Sequence, residues 1–210
     1  NNKKIAATTT TTTTTALPPP SKSSKRGSRV VVQKEEEATS ISLLVRSLEQ
    51  CDAALEVARR YQNSDAFVVD EIIVDFLEVA GIEAAVRRAR EAGVTAVVAS
   101  PRIVMPNEER VWRKLIAAGP DAVLVRSAAL IKVLSDLEVP IRGDFSLNAA
   151  NHVAVAELLE TTALERVTPA YDLSGRAVAQ LARTVQDPSR LEAVVHCHLP
   201  VFHTSHCVFA

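Results

Sequence analysis

The strongest constraint on the fold is a regular alternation of short apolar segments with amphipathic segments from residue 41 onward. The short segments are rich in β-branched residues, which is typical of strands, and apolar residues follow each of them at helical spacing. Such alternation predicts parallel βαβ units in a sheet covered on both faces. The predicted strands, seven in all with six helices between them, cover residues 41–46, 67–74, 94–100, 121–127, 139–146, 165–172 and 190–198.

Two α/β architectures fit this pattern, a (β/α)8 barrel and an open doubly wound sheet. No G-x-G-x-x-G or P-loop follows any predicted strand, so the nucleotide-binding fingerprint of the open sheet is missing. Polar residues follow nearly every strand, and only a barrel brings all of those ends to one rim. The sequence therefore predicts an incomplete TIM-type (β/α)8 barrel of about seven strands over residues 41–210. The rim candidates are Arg46, Ser47, Asp70, Glu71, Ser100, Arg102, Arg126, Ser127, Asp144, Ser146, Asn148, Thr168, Tyr171, Asp172, His196 and His198.

Residues 1–40 differ in composition from the rest of the chain. They contain a run of eight Thr and three consecutive Pro, and no acidic residue occurs before Glu35. Too few apolar side chains are present to offset the entropy of ordering, so we expect a disordered linker or leader. A linker would follow an upstream domain of a longer chain. A Ser/Thr-rich, acid-poor leader is also typical of an organelle transit peptide, so a chloroplast or other organelle stays open beside a cytoplasmic location.

Charge and cysteine usage narrow the classes of partner. The net charge is -1 and the chain is 47% hydrophobic, so there is a real core and no global attraction to nucleic acid. Three cysteines, an odd number, favour a reducing compartment over a disulfide framework. No apolar run is long enough to span a membrane.

A group of potential metal ligands lies near residue 200. Four of the five histidines and two of the three cysteines fall between residues 196 and 207. If 190–198 is a strand, His196 and His198 point to the same side and, with Cys207, could bind zinc. The spacing matches no common zinc motif, so this site is one alternative among several.

Several other polar and aromatic residues have ordinary structural explanations. Asn107, Ser127 and Ser174 stand where helix N-caps are expected. Trp112 is expected to pack a helix against the barrel. The cluster of Arg87, Arg88 and Arg90 is expected to form a solvated helix face.

Six blocks of the sequence carry a family resemblance. They are LVRSLEQ (44–50), DEIIVDFLEVAG (70–81), ASPRIVMPNEER (99–110), GDFSLNAAN (143–151), TPAYDLS (168–174) and VVHCHLPVFHTSHCVFA (194–210). Together and in this order, they resemble the collagenase-like peptidase family of unassigned catalytic type, peptidase family U thirty-two. The similarity covers about residues 41–210 and is more specific than any one motif.

The resemblance implies an iron-sulfur hydroxylase of RNA bases or a related aromatic substrate. Some members are similar to prephenate-dependent hydroxylases of transfer-RNA uridine, and they hold a four-iron four-sulfur cluster on four cysteines. The first of those cysteines matches Cys207, and Ala210 stands where some relatives have another, so we expect the chain to be a fragment that stops inside the motif. A small carboxylate or RNA substrate would then meet an arginine, and Asp144 and Asn148 would line the pocket. The arginines expected there are Arg46, Arg102 and Arg126.

Two other functions stay open at this point. A peptidase acting on a peptide substrate would need zinc-bound water on His196, His198 and Cys207, because no serine or cysteine protease motif occurs. A non-catalytic barrel that supports a partner domain or binds RNA is the third alternative.

Overall fold

The computed structural model describes residues 38–198 and residue 200. The chain divides into two units, residues 1–36 and 37–210, and the described residues belong to the second. The leader predicted as disordered over residues 1–40 lies outside the described residues except for residues 38–40, and there the prediction is wrong, because Thr39 and Ser40 belong to the first strand. The elements in chain order are β1 (Thr39–Val45), α1 (Leu48–Tyr61), β2 (Phe67–Val74), α2 (Ile82–Glu91), β3 (Thr95–Ala99), α3 (Glu109–Ala117), β4 (Ala122–Val125), α4 (Ala129–Asp136), β5 (Ile141–Gly143), α5 (His152–Thr161), β6 (Leu164–Val167) and α6 (Gly175–Thr184).

The six strands form one parallel sheet in the order β1-β2-β3-β4-β5-β6. Spatial order that equals chain order is typical of a barrel, whereas a doubly wound sheet reverses direction at a switch point. The predicted incomplete α/β barrel is therefore confirmed. No helix among the described residues is long and apolar enough to cross a membrane.

Buried side chains lie on both faces of the sheet, as the apolar strands predict. Helices α1 and α2 pack on the outer face of β1–β3, around buried residues such as Ile72 and Val98. Helices α3–α6 cover the outer face of β4–β6, where Trp112 is buried as predicted. The inner face carries a smaller apolar cluster, formed by Ile73, Val97, Ala99, Ala122 and Leu124.

The predicted seventh strand, over residues 190–198, is wrong. Leu191 forms a single parallel bridge with Val167, and residues 192–195 have no regular structure. Strand β6 is short, and Pro169 follows it closely. Because proline has no N–H to donate, it cannot extend the ladder that a seventh strand would need. Val195 is correspondingly 89% exposed.

The helix N-terminus predictions are partly correct. The side chain of Ser174 accepts a hydrogen bond from the Ala177 N–H, as an N-cap should. Asn107 is not a cap, since α3 begins two residues later and Asn107 adopts a left-handed φ of 68°. Ser127 is not a side-chain cap either, because α4 has Ala128 in that position.

Candidate functional site

An ion-pair network lies at the carboxyl-end rim of the sheet, and its centre is Asp75. This residue directly follows β2, and its backbone N–H donates to the Val45 carbonyl at 2.9 Å. Its Oδ1 accepts from Nη1 of Arg126 at 2.7 Å, and its Oδ2 lies 3.3 Å from Nη2 of Arg46. One carboxylate thus joins the ends of β1, β2 and β4.

Arg126 is the most constrained member of this network. Its side chain is only 9% exposed, and its Nε lies 4.0 Å from Oδ2 of Asp144, beyond hydrogen-bond distance. Its backbone N–H donates to the Ser100 hydroxyl at 3.0 Å. The Ser146 hydroxyl lies 2.8 Å from its carbonyl oxygen and 2.7 Å from Asp144 Oδ2. Arg126 therefore lies between two carboxylates that compensate its charge, while its buried Nε has no hydrogen-bond partner among the described residues.

Arg46 and Arg102 are the more accessible arginines of the rim. The Arg46 side chain is 68% exposed beside Asp75. The guanidinium carbon of Arg102 lies 4.7 Å from the centre of the Phe145 ring, which follows β5. Of the three arginines that the resemblance places near the substrate, these two can therefore reach a bound anion, while Arg126 holds the strand ends together.

A groove of about 520 Å³ opens beside Arg46, between the start of α1 and the loop that leads to α2. Phe76 and Leu77 form its apolar side, and Leu77 is 100% exposed. Ser47 also lines this groove, but its hydroxyl accepts from the Gln50 N–H as the N-cap of α1. This N-cap role is sufficient to account for a serine at position 47.

Asp144 and Asn148 have different positions in the structure. Asp144 is 4% exposed at the end of β5, and it caps a short 3-10 helix by accepting from the Ser146 N–H. Asn148 ends that helix with a left-handed φ of 57°, and it is exposed. Asparagine tolerates this conformation better than most residues, which accounts for its presence there. Asp144 is thus part of the rim network, while Asn148 stands outside it.

Asp70 and Glu71 do not lie at a strand end, which corrects the sequence prediction. Strand β2 continues to Val74, and a register shift opposite Ile41 and Ser42 leaves Asp70 as an extra residue. Asp70 accepts from the Ser40 hydroxyl at 2.7 Å. The bulge turns Glu71 onto the inner face, where it is 4% exposed.

Glu71 is the centre of a second charge network, inside the barrel. Its Oε2 contacts Nη1 of Arg142 on β5 and lies 2.5 Å from Nη2 of Arg166 on β6. Nε of Arg142 also lies 3.5 Å from Oε2 of Glu165, and Nε of Arg166 lies 2.9 Å from Oε2 of Glu192. Burial lowers the pKa of the Arg142 guanidinium, and the positive charge of Arg166 lowers it further, while Glu165 opposes both. The network spans from β2 to β5 and β6, so it depends on the curvature of the sheet.

The predicted metal ligands are not brought together by a strand. His196 and His198 are exposed in a segment without regular structure, and Cys207 lies outside the described residues. Among the described residues, no three His, Cys, Asp or Glu side chains converge as metal ligands. The zinc site and the cluster ligand therefore both stay predictions.

The fold and the rim together define a TIM-type half-barrel domain with a charged rim at the carboxyl ends of its strands. The model of Peptidase family U32 matches residues 72–210, which is more than half of the chain. The chain therefore belongs to peptidase family U32. The resemblance drawn from the six sequence blocks is confirmed.

A solved structure supports the fold alone. The crystal structure of the YdjI aldolase from Escherichia coli K12 is similar with a TM-score of 0.52 and 14% sequence identity. The match covers 75% of this chain and 66% of that chain, so this chain spans just under two thirds of its length. No curated protein matches the chain.

Proposed function

We propose that this family U32 domain takes part in hydroxylating an RNA base or a related aromatic substrate, which binds at the carboxyl-end rim. The observation that carries the proposal is the pair of accessible arginines, Arg46 and Arg102, around the Asp75 and Arg126 network. A guanidinium binds carboxylate or phosphate oxygens through paired N–H groups. Both a small carboxylate co-substrate and an RNA phosphate present such oxygens.

The proposed reaction replaces a C–H bond of the base with C–OH, which removes two electrons from the base. It balances if a hydroxylated carboxylate acts as co-substrate. Its C–OH bond breaks while the C–OH bond of the base forms, and the hydrogen that leaves the base is taken up by the co-substrate carbon, which is reduced. The rim arginines would hold the carboxylate of this co-substrate close to the base.

The iron-sulfur cluster of the resembled hydroxylases does not fit the residues of this sequence alone. Such a cluster takes four thiolates, and the sequence has three cysteines. Cys51, on the buried side of α1, is 0% exposed, and burial raises the pKa of its thiol, which disfavours the thiolate. Any cluster therefore needs thiolates from outside this sequence, and no step of the proposed reaction is assigned to it.

Proteolysis receives no support from the described rim. Ser100 and Ser146 are the hydroxyl groups nearest the network, and their hydrogen-bond partners there are Asp144 and backbone groups. A serine nucleophile needs an adjacent general base such as histidine. In the part of the chain that the structure describes, neither hydroxyl has a histidine beside it, and the carboxylate that Ser146 contacts, Asp144, is only 4% exposed.

The test is nucleoside mass spectrometry of total RNA from the source organism with and without this gene. We expect one nucleoside that carries an additional oxygen atom to disappear in the deletion strain and to return with the wild-type gene. A gene carrying Arg46→Ala and Arg102→Ala should not restore it, whereas Arg87→Ala, on the exposed face of α2, should. Unchanged nucleosides in the deletion strain would reject an RNA base as the substrate.

A further inference from the structure

Arg102, Phe145 and Tyr171 form a row of planar groups on the rim, which we call the stacking row. They follow β3, β5 and β6 respectively, so the row exists only when the sheet is folded. The Arg102 guanidinium carbon lies 4.7 Å from the centre of the Phe145 ring. The Phe145 and Tyr171 ring centres are 4.8 Å apart, with an interplanar angle of 77°.

The stacking row is not ordinary core packing. Tyr171 is 36% exposed, and both Arg102 and Phe145 are partly exposed. Ile103 and Met105, in the same loop as Arg102, are also exposed, at 39% and 52%. An exposed group of aromatic and aliphatic side chains at a barrel rim is typical of a binding surface.

Arg102 can offer a second stacking face to a ligand. Its guanidinium carbon lies over the Phe145 ring, and a planar guanidinium that is partly exposed can also stack on the ring of a ligand. Arg102 forms no ion pair with any carboxylate of the described residues, unlike Arg46 and Arg126. Its charge is therefore not neutralised by a neighbouring carboxylate there.

We infer that the stacking row binds an unpaired base of single-stranded RNA. The base stacks on the Arg102 guanidinium, and Tyr171, whose hydroxyl donates to the Pro200 carbonyl at 3.1 Å, packs against Phe145 behind it. Proteins read unpaired RNA bases in this way, on aromatic rings or on guanidinium planes. That the polymer is RNA rests on the proposed function, whereas the preference for a planar ring follows from the row itself.

The net charge of the chain bears on whether stacking or phosphate contacts supply the affinity for RNA. With a net charge of -1, the protein has no general attraction for phosphates beyond local contacts with the rim arginines, so we expect stacking to supply a large share of the affinity. Binding by phosphate contacts falls steeply with salt, whereas stacking does not. We therefore expect a shallow salt dependence.

The experiment is fluorescence anisotropy with the full chain and a fluorescein-labelled single-stranded oligouridylate. Stacking of one base is worth about 1–3 kcal/mol by alanine substitution, so Arg102→Ala should weaken binding about tenfold. Arg102→Lys keeps the charge but removes the plane, and it should weaken binding almost as much. The matched control is Arg113→Ala, because Arg113 also lies 4.7 Å from an aromatic ring, that of Trp112, but on helix α3. The control should bind like the wild type, and a thermal melt of each variant checks that it is folded.

An oligonucleotide of abasic sites supplies the second arm. It keeps the phosphates and removes the rings, so it should bind at least about tenfold more weakly than oligouridylate. The inference is overturned if the wild type does not bind oligouridylate, if Arg102→Lys binds as the wild type does, or if the abasic oligonucleotide binds equally well. Arg102-dependent binding without any oxygenated nucleoside would reject the proposed reaction and keep the stacking row. If the oxygenated nucleoside is found but Arg102→Ala binds RNA as tightly as the wild type, the proposed reaction is kept and the stacking row is rejected.

Discussion

Replacing Glu71 with Gln should destabilise the fold strongly, although Gln has nearly the same shape. Glu71 is 4% exposed and contacts both Arg142 and Arg166. Removing one partner of a buried ion pair costs about 3–5 kcal/mol, because the remaining charge is left uncompensated. Each arginine keeps a second carboxylate, Glu165 or Glu192, so we take the lower end, about 3 kcal/mol.

Urea unfolding followed by circular dichroism measures this cost. Glu71→Gln should lower the midpoint with an unchanged slope, and the melting temperature should fall by about 6–12 °C for a chain of this size. Glu165→Gln is the matched control. Its carboxylate also meets Arg142 but is 52% exposed, so its loss should cost less than about 1 kcal/mol.

A triple variant separates charge compensation from simple packing. Glu71→Leu combined with Arg142→Met and Arg166→Met removes every charge at the centre of the network. Apolar replacement of a whole buried ion cluster is often neutral or stabilising, so this variant should be at least as stable as Glu71→Gln. The reasoning is refuted if Glu71→Gln costs no more than Glu165→Gln, or if the triple variant is less stable than the single one.

Three further predictions concern the packing at Gly143, the labelling of the cysteines and the pH dependence of stability. Gly143→Ala should lower the free energy of unfolding by about 1–3 kcal/mol in the same urea assay, because a Cβ there would lie 2.9 Å from Val167 Cγ2. Gly175→Ala is the control and should leave stability unchanged, because a Cβ at that position would have no atom within 4 Å. In native protein, iodoacetamide should label the exposed Cys197 and spare the buried Cys51 until urea unfolds the chain, as peptide mass spectrometry would reveal. Burial, with the neighbouring Asp52 charge, raises the pKa of the Cys51 thiol above its ordinary 9.0. The folded state therefore holds this proton more tightly, so the free energy of unfolding should fall as the pH rises above 9.0 and through the folded pKa. Cys51→Ala should lose less stability over the same pH range. Equal losses in the two proteins would contradict the raised pKa of Cys51.

Much of the fold could be predicted because its signals are local. Short apolar, β-branched runs and period-3.6 spacing located six strands and six helices, although the strands predicted over 139–146 and 165–172 are only three and four residues long. The prediction of a seventh strand was wrong because Val194 and Val195 gave only a local signal, whereas a strand also needs a neighbouring strand to pair with. Pro169, beyond the short β6, limits the ladder that this partner could offer.

The site could be predicted only in part. Arg126 and Asp144 lie at the rim, as their positions after predicted strands indicated, but the predicted acidic residues at the end of the second strand were Asp70 and Glu71 rather than Asp75. The signal that could have found Asp75 was the length of the apolar run, which continues to Val74. No sequence signal marks the bulge that sends Glu71 into the barrel interior.

The sequence by itself determined the class of fold, the family and the residues available at each strand end, because all three depend on order and spacing along the chain. Only the tertiary structure decided which of those residues meet. Arg126 is neutralised by Asp75 although 51 residues separate them, while Arg102 meets an aromatic ring and no described carboxylate. The physical reason is that charge compensation and stacking act over a few ångströms in space, and the curvature of the sheet sets those distances.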